Sequence, residues 1–427
     1  MEIHELYQKY LETGKVSTDT RQITSGSVFF ALKGPAFNAN EFVLEALAKG
    51  ASYAVVDEQK YAVNDRCILV ANGLKALQDL ARYHRRHLKI PFIGLTGSNG
   101  KTTSKELLNA VLSKKYKVYA TRGNLNNHIG VPLTVLSVDK THEIAVIEMG
   151  ANHLEEIALL SDIADPTHGF ITNLGRAHIG TFGGFENIVR GKSELFQHLL
   201  TNNGTAFINS QDPLLSNMAK RFKNPVFYPA KGDYFHCEFL GVDPFVMLQT
   251  ETGEKLTTQL IGAYNFENIA AALCIGKYFG VSSSDANAAV MEYVPGNMRS
   301  QVLKKGSNTI LLDAYNANPS SMEAAINNLA GMTAKRKIAI LGDMYELEDD
   351  AEVEHGTIGK ILRKKGIKEA YLCGPLMKAA QTTFPDGKFF PSKEELIKEL
   401  QTNPIQDALI LIKASRGMAM EKILDFI

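Results

Sequence analysis

The stretch GLTGSNGKTT, Gly94 to Thr103, restricts what this chain can fold into more than any other short segment. It follows the apolar run Ile90 to Ile93 and precedes a helical pattern at Leu107, Leu108, Val111 and Leu112. Glycines and a lysine on a strand-to-helix turn make a phosphate loop: backbone N–H groups face an anion, the helix N-terminus adds positive charge, and the lysine reaches the terminal phosphates. Lys101 is that lysine, Thr102 offers a hydroxyl to Mg²⁺, and Gly97, Ser98, Asn99, Gly100 and Thr103 complete the cradle. The spacing G-x-x-x-x-G-K-[ST] would put its first glycine at Leu95, and glycines stand at 94 and 97 instead. Such a loop needs an open, largely parallel sheet to present it.

At 427 residues the chain has room for about three domains. Lys plus Arg and Asp plus Glu both total 46, so no net charge recommends nucleic acid or an anionic membrane. The basic run RYHRRHLK, Arg82 to Lys89, reads as a solvated helix end leading into a new domain. Cys67, Cys237, Cys274 and Cys373 form no C-x-x-C, which argues against a disulfide framework or zinc site and fits a reduced cytoplasm. The opening MEIHELYQKYLETG lacks a signal-peptide core, and no apolar run is long enough to cross a bilayer, so a cytoplasmic protein without membrane insertion is expected.

Residues 1–88 read as a small α/β unit, with strand-like SVFFAL and ASYAVV around helical NEFVLEALAKG. Between 89 and 297, FIGLTG, KVYAT, IAVIEMG, GFITNLG and GTAFIN alternate with helical stretches, the pattern of a parallel sheet covered on both faces. Residues 225–262 alternate like antiparallel strands, with Thr252-Gly253 as a turn. After a Pro/Gly hinge in VPGNMRS, residues 298–427 repeat the α/β theme in TILLDAY, KIAILGDM, EAYLCG, GKFF and ALILIKAS, without G-x-G-x-x-G. The expected fold is α/β in three domains: a small N-terminal unit (1–88), a central P-loop mononucleotide-binding domain (89–297) and a C-terminal Rossmann-like domain (298–427).

A phosphate loop alone separates neither kinase, GTPase nor ligase. IAVIEMGA ends on Glu148, either a carboxylate at the crevice or a solvated strand end. ITNLGRAHIGTFGG places Thr172, Asn173 and His178 after the next strand, and a hydroxyl, a carboxylate and an imidazole at strand ends of one sheet together favour a magnesium cluster. VRGKSELF brings Lys192 to a helix start, where a free ammonium near Mg²⁺ would be repelled, so it either binds phosphate or has its charge altered. Asn268 adds a polar contact and Arg299 a guanidinium suited to a transferring phosphoryl group. In LLDAYNANP, Asp313 either holds a ribose or caps the following helix, with Tyr315 and Asn316 beside it.

The segments GSNGKTT, EMGA, TNLGRAH, GKSE, YNFENIAAA, DAYNANPSSM, GDMYEL and KASRGM, in this order, resemble the Mur ligases, ATP-dependent amide-forming enzymes of peptidoglycan precursor synthesis. Within that family, RGNLNNHIGVPLTVL, DAYNANPSSM and GDMYELEDDAEVEHG are similar to the branch that joins D-alanyl-D-alanine to UDP-N-acetylmuramoyl-tripeptide. The resemblance implies that Lys101 and Thr102 bind ATP phosphates and magnesium, that Glu148 and His178 hold metal, and that Lys192 is carbamylated and serves the metal as an anion. It implies adenine contact for Asn268, γ-phosphate contact for Arg299 and ribose contact for Asp313. STDTRQITSGSVFFALKG resembles the uridine-binding segment, which makes Thr20, Arg21 and Ser27 candidates there; Asn126, Asn127, Tyr315 and Asn316 are candidates for the remaining substrate contacts. A kinase or GTPase reading lacks an N-K-x-D motif. Siblings that add a diamino acid carry Asn-Pro-Arg, whereas here Asn318-Pro319 is followed by Ser320.

Overall fold

The computed structural model describes residues 2–176, 179–296 and 298–427. The chain begins with helix α1 (Ile3–Thr13), stopped at Gly14 in the left-handed conformation that glycine adopts without steric cost. Strands β1 (Val16–Ser17) and β2 (Val28–Phe30) follow, then the hairpin β3 (Lys33–Gly34) with β4 (Phe37–Asn38), helix α2 (Val43–Ala48), β5 (Tyr53–Val56), β6 (Cys67–Leu69) and α3 (Gly73–His87). Strands β1-β2-β5-β6 form a parallel sheet in that order.

The main sheet is built from β7 (Phe92–Thr96), α4 (Lys101–Leu112), β8 (Val118–Ala120), α5 (Gly130–Leu136), β9 (Ile144–Glu148), α6 (Glu156–Ala164) and β10 (His168–Ile171). It continues through α7 (Ile179–Phe182), α8 (Phe185–Thr201), β11 (Thr205–Asn209), α9 (Pro213–Ala219) and β12 (Val226–Tyr228). The order β12-β11-β10-β7-β9-β8 is parallel throughout. Every residue of β7 and β9 is buried, because helices cover both faces and no polar alternation is tolerated. From β7 the chain lays β8 at one edge, inserts β9 between them and then crosses to β10 on the other side of β7, so the carboxyl ends of β9, β7 and β10 surround a topological switch point.

A three-stranded antiparallel sheet, β13 (Cys237–Val242), β14 (Phe245–Thr250) and β15 (Lys255–Ile261), and helices α10 (Asn265–Tyr278) and α11 (Ser283–Glu292) complete this part. The expected antiparallel alternation across 225–262 therefore begins only at Cys237, and Val226–Tyr228 is instead a parallel edge strand of the main sheet. Three residues are too few to display a period.

The last sheet comprises β16 (Gln301–Lys305), β17 (Asn308–Asp313), α12 (Pro319–Gly331), β18 (Lys337–Gly342), α13 (Ala351–Lys364), β19 (Glu369–Cys373), β20 (Lys388–Phe390) and β21 (Leu409–Lys413). Its order is β16-β17-β21-β18-β19-β20, parallel except for the edge strand β16. The fold is thus α/β with three sheet-centred units, and one apolar cluster runs through all of them, including Leu77, Ile147 and Leu311.

The basic run at the end of α3 is solvated only in part: Arg86, His87 and Lys89 are exposed. His84 and Arg85 are buried. Arg85 Nε donates to Ala164 O at 2.9 Å and Nη2 to Asp165 O at 2.9 Å, which satisfies carbonyls where α6 ends, while Nη1 donates to Leu88 O at 2.8 Å at the end of α3 itself. All four cysteines are free, and among the described residues no helix is long and apolar enough to cross a membrane.

Candidate active site

The phosphate loop is shaped by two positions that only glycine fills. Gly97 has φ +146°, and a Cβ there would lie 2.0 Å from Thr172 Oγ1; Gly100 has φ +80°, and a Cβ there would lie 2.6 Å from Asn268 Oδ1. The loop after β10 then holds the cradle: Ser98 N donates to Asn173 O at 3.0 Å, Asn99 N to Asn173 Oδ1 at 3.1 Å, and Thr172 Oγ1 to Asn99 O at 2.6 Å. Lys101 Nζ folds back on Gly97 O at 2.7 Å and Ser98 O at 3.2 Å. Burial lowers its pKa to about 8, opposed by the Glu148 carboxylate and reinforced by Arg299.

Glu148, the last residue of β9, is 1% exposed, so it is no solvated strand end. Its Oε1 accepts from Asn126 Nδ2 at 2.8 Å and Thr102 Oγ1 at 3.3 Å, while Oε2 is buried without a hydrogen-bond partner. Lys105 Nζ lies 3.8 Å from Oε2. A carboxylate with an unused oxygen beside a threonine hydroxyl, both lining a cavity, fits Mg²⁺, which takes few protein ligands and completes its shell with phosphates and water. Among the described residues no group of three His, Cys, Asp or Glu could hold a metal; His178 lies outside the described residues.

Lys192 does not stand at a helix start: α8 begins at Phe185, and Lys192 sits inside the helix, fully buried. Its Nζ donates to Ala151 O at 2.9 Å and lies 5.1 Å from the Phe182 ring centre. Burial drives its pKa well below the usual lysine range, and the Lys101 charge adds to the effect.

A cavity of about 930 Å³ joins the loop to the third sheet, lined by Ser98 to Thr103, Asn126, Asn127, Glu148, Asn268, Arg299, Asp313, Tyr315 and Asn316. Asn268 sits at the root of the loop, accepting from Ser104 Oγ at 2.9 Å and donating to Asn265 Oδ1 at 2.8 Å. The Arg299 guanidinium stacks 3.7 Å over Tyr315, and its Nε is buried without a hydrogen-bond partner. Asp313 accepts from Lys413 Nζ at 2.6 Å; the cap of α12 is Asn318, so Asp313 is not the helix cap. Thr20, Arg21 and Ser27 are not brought to this cavity. Arg21 is exposed and pairs with Asp19 at 2.7 Å, whereas Ser27 Oγ is buried without a hydrogen-bond partner.

Sequence reasoning passed over Lys105, Lys413 and the contacts that close the third unit on the loop. Asn318 Nδ2 donates to Asn99 Oδ1 at 2.8 Å, Arg176 N to Ser320 Oγ at 3.0 Å, and Arg176 pairs with Glu354 at 2.5 Å. For Lys105 a signal existed: it stands three residues after Thr102 and four after Lys101, on the same side of α4.

Two family models match, the Mur ligase middle domain over residues 95–276 and the Mur ligase, glutamate ligase domain over residues 298–416. The UDP-N-acetylmuramoyl-tripeptide–D-alanyl-D-alanine ligase of Bacillus subtilis (strain 168) is 35% identical, covering 96% of this chain and 92% of the relative. Its Escherichia coli (strain K12) counterpart is 33% identical with 96% and 92% covered. Among solved structures, MurF from Acinetobacter baumannii superposes with a TM-score of 0.88 at 31% identity, covering 99% of this chain and 97% of that one. The MurF ligase from Thermotoga maritima in complex with ADP gives 0.86 at 28% identity, with 97% of each chain covered. With the glycine-shaped phosphate loop, the buried carboxylate behind it and these matches along its length, the chain belongs to the Mur ligase family of ATP-dependent ligases.

Proposed function

We propose that this chain joins the amine of D-alanyl-D-alanine to the terminal carboxylate of UDP-N-acetylmuramoyl-tripeptide in cytoplasmic peptidoglycan precursor synthesis, forming ADP and phosphate. The observation that carries this reading is the similarity, along nearly the whole chain, to relatives bearing that substrate pair in their names. The absence from the sequence of the Asn-Pro-Arg that diamino-acid-adding siblings typically carry supports it.

A carboxylate does not acylate an amine usefully, because its leaving group would be oxide. Phosphoryl transfer from ATP to the tripeptide carboxylate makes that leaving group phosphate. Lys101 and Arg299 would bind the β- and γ-phosphates and stabilise the charge spread over the transferring group. Gly97 to Thr103 cradle the nucleotide, Asn268 is assigned to the adenine and Asp313, held by Lys413, to the ribose. Thr102 and Glu148, with His178, would hold Mg²⁺, which when bound neutralises phosphate charge. Lys192 as a carbamate would add a negative group beneath them. Thr20, Arg21 and Ser27 are assigned to the uridine end, and Asn126, Asn127, Tyr315 and Asn316 to the peptide and acceptor. The acceptor's α-amino group has a pKa of about 8, so a sizeable neutral fraction attacks without strong base help. Units 1–88, 89–297 and 298–427 would then serve the UDP end, ATP and the acceptor in turn.

The test is ADP release and amide mass with purified protein, ATP, Mg²⁺, UDP-muramoyl-tripeptide and a panel of acceptors. D-Alanyl-D-alanine should be coupled, with free lysine, diaminopimelate and glutamate poorer by about 10³-fold, since buried polar groups that fit a dipeptide are left unpaired by a mismatch. Coupling of a single diamino acid to the UDP-muramoyl-dipeptide, with the dipeptide acceptor ignored, would sink the substrate assignment and leave only the ligase class.

A further inference from the structure

We infer that Lys105 is a resident counter-cation of the metal position: it balances the Glu148 charge from the side away from the cavity, and thereby sets how tightly the site takes a divalent ion. The inference rests on reading Glu148 as a metal ligand, and the experiment below separates the two.

Glu148 and Lys105 are both buried, at 1% and 4% exposure. A carboxylate taken out of water without a compensating charge is costly, so something must balance it before any metal arrives. Thr102 and Asn126 supply hydrogen bonds to Oε1 and no charge. Lys101 adds its field from beyond ion-pair distance, and Lys105 supplies the close charge, 3.8 Å from Oε2 and too far for a hydrogen bond. The lone pairs of Oε2 are therefore left unused even though the ion pair exists. Position completes the argument. Glu148 lines the cavity and Lys105 is not among its lining residues, so the ammonium approaches from the α4 side while the free oxygen remains available to a ligand.

A divalent ion on Oε2 would share that oxygen's field with a like charge only a few ångströms away, in surroundings where burial weakens screening. Lys105 thus stabilises the metal-free protein and weakens the metal. A cation that binds and leaves with each nucleotide needs such a limit on its affinity.

The experiment measures, at one fixed pH, the Mg²⁺ concentration that half-maximally tightens binding of ADP or a non-hydrolysable ATP analogue. Lys105→Met, Lys105→Gln, Lys105→Arg and the unchanged protein are compared, each also melted in EDTA. Both neutral variants should melt several degrees lower in EDTA yet require about tenfold less Mg²⁺, and Lys105→Arg should restore both values towards the original. A drop in melting temperature with an unmoved Mg²⁺ midpoint would make Lys105 a packing residue and overturn the inference. Should Lys105→Met not fold, Lys105→Gln carries the same expectation. Glu148→Gln tests the underlying reading alone: if Mg²⁺ tightens nucleotide equally well without the carboxylate, the metal role of Glu148 fails first.

Discussion

Lys192 shows how burial changes what a side chain can do. Its amine projects from α8 into the interior, where it donates to Ala151 O beside the Phe182 ring, and burial favours the neutral form. A neutral amine is the nucleophile that adds to CO₂, losing a proton to give a carbamate, so the surroundings suit the proposed modification. We expect CO₂-free buffer to lower turnover reversibly, bicarbonate to restore it, and Lys192→Arg to be inactive, since a guanidinium cannot form the carbamate. A fully active arginine variant would show that positive charge suffices. At this scale the legible residues were those in motifs: Lys101, Thr102 and Glu148 stand at strand or helix ends that glycines announce. Burial was not legible for Lys105, whose spacing from Lys101 and Thr102 shows only its side of α4, nor for Lys413. A lysine in a helix or at a strand end reads as surface, and only the packing of α4 on β9 and of β17 on β21 reveals that each is buried against a carboxylate.

Among the elements, α3 carries the largest departure from expectation. Its basic end is solvated at Arg86, His87 and Lys89 as expected, but not at Arg85, because sequence does not show that the carbonyls where α6 ends need donors. Arg85 provides them and stacks 3.9 Å over Phe92 as well. Arg85→Met keeps the apolar stem but strands buried carbonyls, so unfolding in urea should show about 2–4 kcal/mol of lost stability, with Arg85→Lys in between. An unchanged midpoint would mean that water takes over these carbonyls. The same limit explains the strands. β7, β9 and β21 are apolar up to their last residue and stand out in the sequence, whereas β12 and β16 are edge strands whose pairing partners, not their own patterns, define them.

For the whole molecule, what holds the third unit over the phosphate loop is a set of contacts between residues far apart in sequence. The Ser320 hydroxyl accepts from Arg176 N, and Arg176 also pairs with the buried Glu354 on α13. Arg176 directly follows the loop that orders Ser98 and Asn99, so closure and the shape of the cradle share one segment. If these contacts keep water from the acyl phosphate, loosening them should spare ATP binding and spoil coupling. Removing Arg176 alone would strand a buried carboxylate and blur the result with lost stability. The paired change Arg176→Met with Glu354→Gln, combined with Ser320→Ala, avoids this. We expect a larger radius of gyration in solution scattering, an almost unchanged KM for ATP, a lower kcat for amide formation, and more than one ADP released per amide formed, because acyl phosphate hydrolyses in an open cavity. A variant that keeps one ADP per amide at unchanged radius would show that this set does not hold the closure, and would shift the burden to the Asn99–Asn318 contact at the tip of the loop.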